Sequence, residues 1–438
     1  MRNLFSLLSQ GAVFGFAFLI FLVLVRQWDA ATFGTWVLYQ TLMTFAEMAR
    51  MGFIQNGLVK HLTDHPEARR AIVGAAWLLN LASGLLFWLM LWGLSHPLAA
   101  LWEAPLLTEL TLTYGLVALT WGSFRFVEYL LVAARDFRLV FWGHLLNGGL
   151  YFGLVLGLTL SDRLHTPVQV LYAQSLAALV AVGWLALRRR DWLRMSRPTG
   201  RWLRPLAHYG RYTLGSSLGS VLMQRLDLLM LGYFLGPASV ALYNIGTKLT
   251  NYLEIPLRAV TLVIFPQLSR VFGEEGAEAF ARFWERSASQ LLALVLPPCV
   301  ALLLLASPAI ELMAGPGYAE AVPVLRVFVL VAVLKPWGRL AGVSLDAIGA
   351  PRANFRLVWF SLLLNAGWNA LFIPWLGVMG AAWATVLAMA VTTALGVWTL
   401  RRQVPVRVRA SLQGLGRAYQ GWASAVRSPK MMRGLDSR

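Results

Sequence analysis

Long apolar runs alternate with short, arginine-bearing polar connections along most of the chain. The runs fall near residues 8–25, 35–58, 71–93, 107–131, 139–159, 168–187, 208–233, 238–266, 288–312, 321–346, 354–373 and 377–398. A nearly uncharged run of about 18 residues or more is long enough to cross a bilayer as a helix. The pattern therefore predicts an all-α, polytopic membrane protein with twelve transmembrane helices. Residues 8–25 are apolar like the core of a secretory leader, but Arg26, Gln27 and Trp28 end the run with no small-residue cleavage site, so it reads as the first membrane helix.

Composition agrees. Of 438 residues, 58% are hydrophobic and 13% charged, half the charged share of an ordinary globular chain, and mean hydropathy is +0.62. Twelve crossings of about 20 residues leave no room for a large soluble domain, so the working parts must lie in the membrane. The formal net charge of +18 would suit a nucleic-acid binder if it lined one groove. Instead the basic residues sit in alternate loops. With the N-terminus inside, 27 cations share its side of the membrane, only Arg26 and Arg163 face the other, and nine fall within spans. That asymmetry places both termini in the cytoplasm.

The sequence divides in two. Residues 188–204 are polar, rich in arginine and broken by Pro198 and Gly200, as a cytoplasmic linker would be. The expected organisation is a six-helix lobe over 1–187, this linker, a second six-helix lobe over 205–400, and a basic cytoplasmic tail over 401–438. An internal repeat supports it. Phe137-Arg138-Leu139-Val140 and Leu145-Leu146-Asn147 recur as Phe355-Arg356-Leu357-Val358 and Leu363-Leu364-Asn365, with eight of thirteen positions matching. Both halves start inside, which implies parallel repeats related by a pseudo-two-fold axis along the membrane normal. This register sets Glu128 over Asp346; a second, more pattern-based one sets Glu47 over Glu254.

Charges inside spans are costly unless they face a partner or a wet cavity. Glu47 with Arg50, Arg125 with Glu128, and Glu254 with Arg258 lie three or four apart, on one helical face in each case. These pairs could simply neutralise one another and lock helices together. Arg225, Lys248, Lys335 and Arg339 have no carboxylate at such spacing and read as candidates for an electropositive cavity between the lobes, with Arg50 and Arg125 as further candidates. Arginine and lysine there would bind a phosphate or pyrophosphate through charge-assisted hydrogen bonds. Asp227, Glu47, Glu128, Glu254 and Asp346 are candidates for charge pairing or for coupling to Na+ or H+. Arg211, Arg258 and Asp346 lie near span ends, where side chains can reach the headgroups.

Pro256, Pro266, Pro323 and Pro336 are expected to interrupt helical hydrogen bonding, and Pro336 with Gly338 sets a kink beside Lys335 and Arg339. Cys299 is the single cysteine, so no internal disulfide or paired-thiolate metal site can form. The six histidines show no metal-ligand cluster; His61 and His65, four apart, read as a solvated loop pair. No cofactor is called for. In the tail, Val404 to Val426 mixes apolar residues with arginines, which suits either a surface helix on anionic lipid or a disordered basic segment.

The stretch from Arg225-Leu226-Asp227 to Gly236-Pro237, then Val240-Ala241-Leu242-Tyr243-Asn244, resembles the seventh and eighth helices of the polysaccharide biosynthesis (Wzx-like) flippases. These belong to the multidrug/oligosaccharidyl-lipid/polysaccharide exporter superfamily. Pro256, Phe265-Pro266-Gln267-Leu268-Ser269-Arg270, Gly349-Ala350-Pro351-Arg352, Asn365, Gly377 and Gly380-Ala381-Ala382 continue the likeness; Arg26, Phe33-Gly34 and Gly52 carry it in the first half. The resemblance implies a carrier, not an enzyme, that moves a polyprenyl-pyrophosphate-linked oligosaccharide to the outer leaflet of a bacterial cytoplasmic membrane. It also implies membrane lipids and a glycan polymerase or ligase as partners, and no nucleic acid. Two rivals stay open: a cation-coupled multidrug exporter of the same helical plan, and a membrane-bound glycan or lipid transferase.

Overall fold

A computed structural model describes residues 2–198 and 200–427, with backbone alone for 2–4, 6–7, 209–218, 220 and 422–427. The side chain of Arg211 thus lies outside the described residues, as do the final basic residues of the tail. The chain is almost wholly helical. The helices are α1 (Arg2–Gln27), α2 (Ala30–Asp64), α3 (Arg69–Leu101), α4 (Leu106–Ala133), α5 (Phe137–Leu160), α6 (Pro167–Arg188), α7 (Gly200–Leu235) and α8 (Pro237–Tyr252). They continue as α9 (Glu254–Leu304), α10 (Ala306–Ala314), α11 (Ala321–Ala347), α12 (Pro351–Leu376), α13 (Val378–Arg401), α14 (Val408–Gln413) and α15 (Leu415–Arg427). Among the described residues nine helices are long and apolar enough to cross a membrane. The charge-bearing α2 is not among the nine.

Helix ends follow local chemistry. Asp29 caps α2 by accepting the backbone N–H groups of Ala31 and Thr32. Thr166 and Gln169 form a capping box on α6. Two of the four prolines expected to disrupt helices do not. Pro256 and Pro323 each occupy the third position of a helix, α9 and α11, where the missing N–H has no intrahelical acceptor to lose. Pro256 cannot donate to the Tyr252 carbonyl four residues back. The helical run is interrupted at Leu253, whose backbone keeps helical geometry (φ −66°, ψ −17°), and one expected span becomes α8 plus the start of α9. Pro266 and Pro336 do lie inside helices. Within α9, Gly276 leaves helical geometry (φ 82°, ψ −174°) and separates residues 254–275 from 277–304.

The chain forms two compact units, Met1–Ala241 and Leu242–Arg438. In the first, α2 runs along α7, α1 packs on α5, and α4 lies against α3 and α6. Gly34 of the Phe33-Gly34 pair shows why a side chain is excluded there: a Cβ would stand 1.7 Å from the Pro237 carbonyl oxygen. The arginine-rich connection is folded onto this unit. Arg189 pairs with Asp136 at 2.6 Å, Arg69 donates to the Asp191 carbonyl and stacks over Trp192, and Ser196 N–H donates to the Arg70 carbonyl. His61 and His65 are not a loop pair. They occupy the last turn and C-cap of α2 and both pack on Trp202 at the start of α7.

In the second unit α11 packs between α9 and α13, and α12 packs on α13. Its core gathers Leu257, Trp284, Leu291, Val329, Trp337, Leu345 and, from beyond α13, Val404 and Val406. The start of the tail is therefore part of the fold, and α14 and α15 continue it along α9.

Candidate functional site

In the first unit, charge is held in two adjoining networks. On α2, Glu47 and Arg50 form an ion pair one helical turn apart. The guanidinium also donates to the Ala118 carbonyl of α4 at 2.9 Å, and Tyr114 donates its hydroxyl to Glu47 at 3.2 Å. Arg50 is 1% exposed. It fits only because Gly122 of α4 has no side chain, since a Cβ there would stand 2.0 Å from Nη1. On α4, Arg125 pairs with Glu128, whose other oxygen lies 3.3 Å from His144 Nε2 of α5. Arg125 also stacks over Tyr129. Two arginines meet two carboxylates here, so the networks tie α2, α4 and α5 together at no formal charge beyond what His144 brings.

The second unit is different. Glu254, at the first position of α9, shares its carboxylate between two cations: Oε1 takes Lys335 of α11 and Oε2 takes Arg258 at 2.9 Å. Arg339 lies one turn beyond Lys335 on α11, within electrostatic reach of Arg258 and Glu254. It makes no ion pair among the described residues. Three cations thus surround one carboxylate, and the cluster holds two surplus positive charges. Lys335 and Glu254 are 17% and 20% exposed and Arg258 is 58% exposed, so the cluster runs from the interior of the unit to its surface.

The other candidates are dispersed. Arg225 is half-buried on α7 of the first unit, with no ion pair among the described residues. Asp227 and Lys248 are each engaged by a polar or electrostatic partner. Asp346, exposed at the end of α11, accepts a hydrogen bond from Asn354 at 2.9 Å and so joins α11 to α12. The two carboxylates that the sequence register sets over one another differ in setting: Glu128 is nearly buried between Arg125 and His144, while Asp346 is exposed. Lys335, read as having no partner, finds one across 81 residues. Sequence reasoning read Arg258 as the partner of Glu254 but passed over His144 and Tyr114, whose partners lie on other helices and leave no spacing signal.

Long apolar helices with charges buried in their bundles define a multi-pass membrane protein. The chain belongs to the polysaccharide biosynthesis protein family, whose sequence profile matches residues 23–323. The probable low-salt glycan biosynthesis flippase Agl15 of Haloferax volcanii is 26% identical over 220 residues, which span 50% of this chain and 47% of that protein. The chain therefore spans about half the length of that relative. The probable flippase AglR of the same organism is 24% identical over 401 residues, 88% of this chain and 80% of AglR. Among solved structures, an inward-facing multidrug resistance MATE family transporter of the MOP superfamily superimposes with a TM-score of 0.74 at 15% identity, covering 91% of this chain and 95% of that one. The lipid II flippase MurJ in an inward closed conformation gives 0.71 at 13% identity, covering 95% and 91%. At such identities the likeness establishes the fold, and one fold serves a drug transporter and a lipid flippase alike.

Proposed function

We propose that the protein is a flippase that carries a polyprenyl-pyrophosphate-linked oligosaccharide across the membrane by alternating access. The observation that carries this reading is the surplus of positive charge around Glu254. Lys335, Arg258 and Arg339 are held near one carboxylate, so an entering diphosphate can take up Arg339 and share Arg258 without stripping Glu254 of its lysine. Charge-assisted hydrogen bonds from a planar guanidinium suit phosphate oxygens. Unaided, a glycan diphosphate would drag charge and many hydroxyls through hydrocarbon, at a cost that a polar protein path removes. No covalent step is required. A multidrug exporter for organic cations would be served by acidic and aromatic walls, and three cations around one carboxylate oppose it. The polysaccharide biosynthesis family and the likeness to Agl15, a probable glycan biosynthesis flippase, support the glycan reading.

The finer architecture belongs to the same proposal: twelve crossings in two six-helix lobes, 1–187 and 205–400, related by a pseudo-two-fold axis, with 188–204 as the linker and 401–438 as the tail. Both termini are cytoplasmic, in a bacterial inner membrane, and a glycan polymerase or ligase receives the product. Arg225 and Lys248 supply further positive charge along the path, while Arg50 and Arg125 serve to lock helices. Asp227, Glu47, Glu128, Glu254 and Asp346 remain the carboxylates to test for Na+ or H+ coupling.

The test is leaflet exchange in liposomes holding the purified protein and a fluorescent polyprenyl-diphosphate oligosaccharide, beside an organic-cation uptake assay. Exchange that depends on the protein, without cation uptake, is expected. Full-rate exchange in folded Arg225→Ala, Lys248→Ala, Lys335→Ala and Arg339→Ala variants would overturn the assigned anion path.

A further inference from the structure

The two cations that α11 brings to the cluster share one face of that helix. Lys335 and Arg339 are four residues apart, while Trp337, midway between them, points about 200° away at 100° per residue. Whatever holds the indole on the other side therefore bears on the direction of the cations. That contact comes from the tail. Trp337 Nε1–H donates to Ser411 Oγ of α14 at 3.0 Å, and the Ser411 hydroxyl donates onward to the Val408 carbonyl. Trp337 is buried and Ser411 wholly so.

The tail is itself anchored. The Ser289 hydroxyl of α9 lies 2.8 Å from the Ser411 carbonyl oxygen, and Arg407 N–H donates to Glu285 at 3.0 Å. Tyr419 of α15 donates its hydroxyl to the Ala293 carbonyl. Gly414 lies flat on Ser289, and Val404 and Val406 are buried in the same core as Trp337. The turn so held is also the weak one in α11. Pro336 cannot donate to the Ala332 carbonyl, which removes a helical hydrogen bond beside the cations. On the α13 side Gly338 offers no side chain, only close contact with Thr393.

We propose that residues 404–421 form a strap that fixes the rotation of α11 and so aims Lys335 and Arg339. Trp337 and Ser411 are positioning residues for the anion-binding charges. The claim that the charges bind an anion rests on the function proposed above; the claim that the strap aims them does not.

Because Cys299 is the sole cysteine, a Cys299→Ala chain carrying Arg339→Cys gives one thiol whose reaction with a charged maleimide in nanodiscs reports where position 339 points. Ser411→Ala or Trp337→Phe should each change that rate by about threefold or more, the scale of one lost hydrogen bond. Combined, they should add little, because both remove the same bond. Tyr419→Phe, which removes one of several anchors on α9 and leaves the Trp337–Ser411 bond in place, should change the rate less. Trp337→Phe keeps the ring in the core and serves if Ser411→Ala does not fold. With Arg339 restored, Ser411→Ala should raise the half-saturating concentration of the diphosphate lipid about threefold and leave the saturated exchange rate nearly unchanged. Unaltered labelling in folded Ser411→Ala and Trp337→Phe chains overturns the strap, and so does an equal change in Tyr419→Phe. Altered labelling with unaltered exchange upholds the strap and removes the anion role of Arg339.

Discussion

Glu254 and Lys335, 81 residues apart in sequence, form the ion pair that ties the start of α9 to the middle of α11. Neither is fully solvated, so removing one partner strands the other. Lys335→Met should cost about 2 kcal/mol of stability, below the range for a fully buried pair because Arg258 still reaches Glu254. The double variant Glu254→Gln with Lys335→Met should recover about half of that loss or more, since no lone carboxylate is left. Thermal unfolding of the four chains in one detergent forms the cycle. Additive losses would show that the pair is not coupled.

Arg339 makes no ion pair among the described residues, so its removal should cost the fold little and the transport much. Arg339→Ala is expected to slow diphosphate-lipid exchange about tenfold, the worth of a hydrogen bond to a charged group. The unfolding midpoint should hardly move. Arg339→Lys should restore only part of the rate, because a point charge cannot repeat the two-pronged contact of a guanidinium. A midpoint that falls as far as the Lys335→Met midpoint would place Arg339 among structural charges instead.

The all-helical character of the chain was plain in its apolar runs, and the expected spans fall on helices, two of them, 238–266 and 288–312, across breaks at Leu253 and Leu305. Same-helix charge pairs were equally plain, because three- and four-residue spacing is geometry that sequence carries. Glu47 with Arg50, Arg125 with Glu128, and Glu254 with Arg258 are all made. Partners on other helices were not legible. Lys335 with Glu254 and His144 with Glu128 depend on which helix faces lie together, and the uniformly apolar faces of membrane helices carry no stripe that would tell. Pro256 and Pro323 misled for a related reason. A proline breaks or begins a helix according to where the first turn falls, and the boundary is what sequence places worst. The tail showed the pattern of an amphipathic helix, yet its destination on α9 and Trp337 left no trace in spacing.

Arg50 should be a linchpin of the first unit. Among the described residues, Arg50→Met leaves Glu47 with only the Tyr114 hydroxyl and leaves the Ala118 carbonyl without its side-chain donor, an expected loss of about 3–5 kcal/mol. Gly122→Ala should destabilise by about 1–3 kcal/mol through the same group, because its Cβ must push the guanidinium away from Ala118. In an Arg50→Met chain that penalty should nearly vanish, since the clashing group is gone. Unfolding midpoints of the two single variants and the double variant decide it, and a Gly122→Ala penalty that persists without Arg50 would point to another contact.

Asp29 offers a pH test outside the expected spans. Its carboxylate caps α2, and a hydrogen bond from the Thr32 side chain, aided by the backbone amides of Thr32 and Ala31, outweighs burial and holds its pKa below the usual value of 3.8. A folded pKa below the unfolded one means that the unfolded chain takes up the proton first. The stabilisation is therefore present above the unfolded value and is lost as pH falls through the folded one. Asp29→Ala should cost about 1 kcal/mol near neutrality. Asp29→Asn keeps the cap without a titrating group. Any advantage of aspartate over asparagine in unfolding midpoint should thus shrink between about pH 6 and pH 3. A difference that stays constant over that interval would mean that the cap acts without its charge.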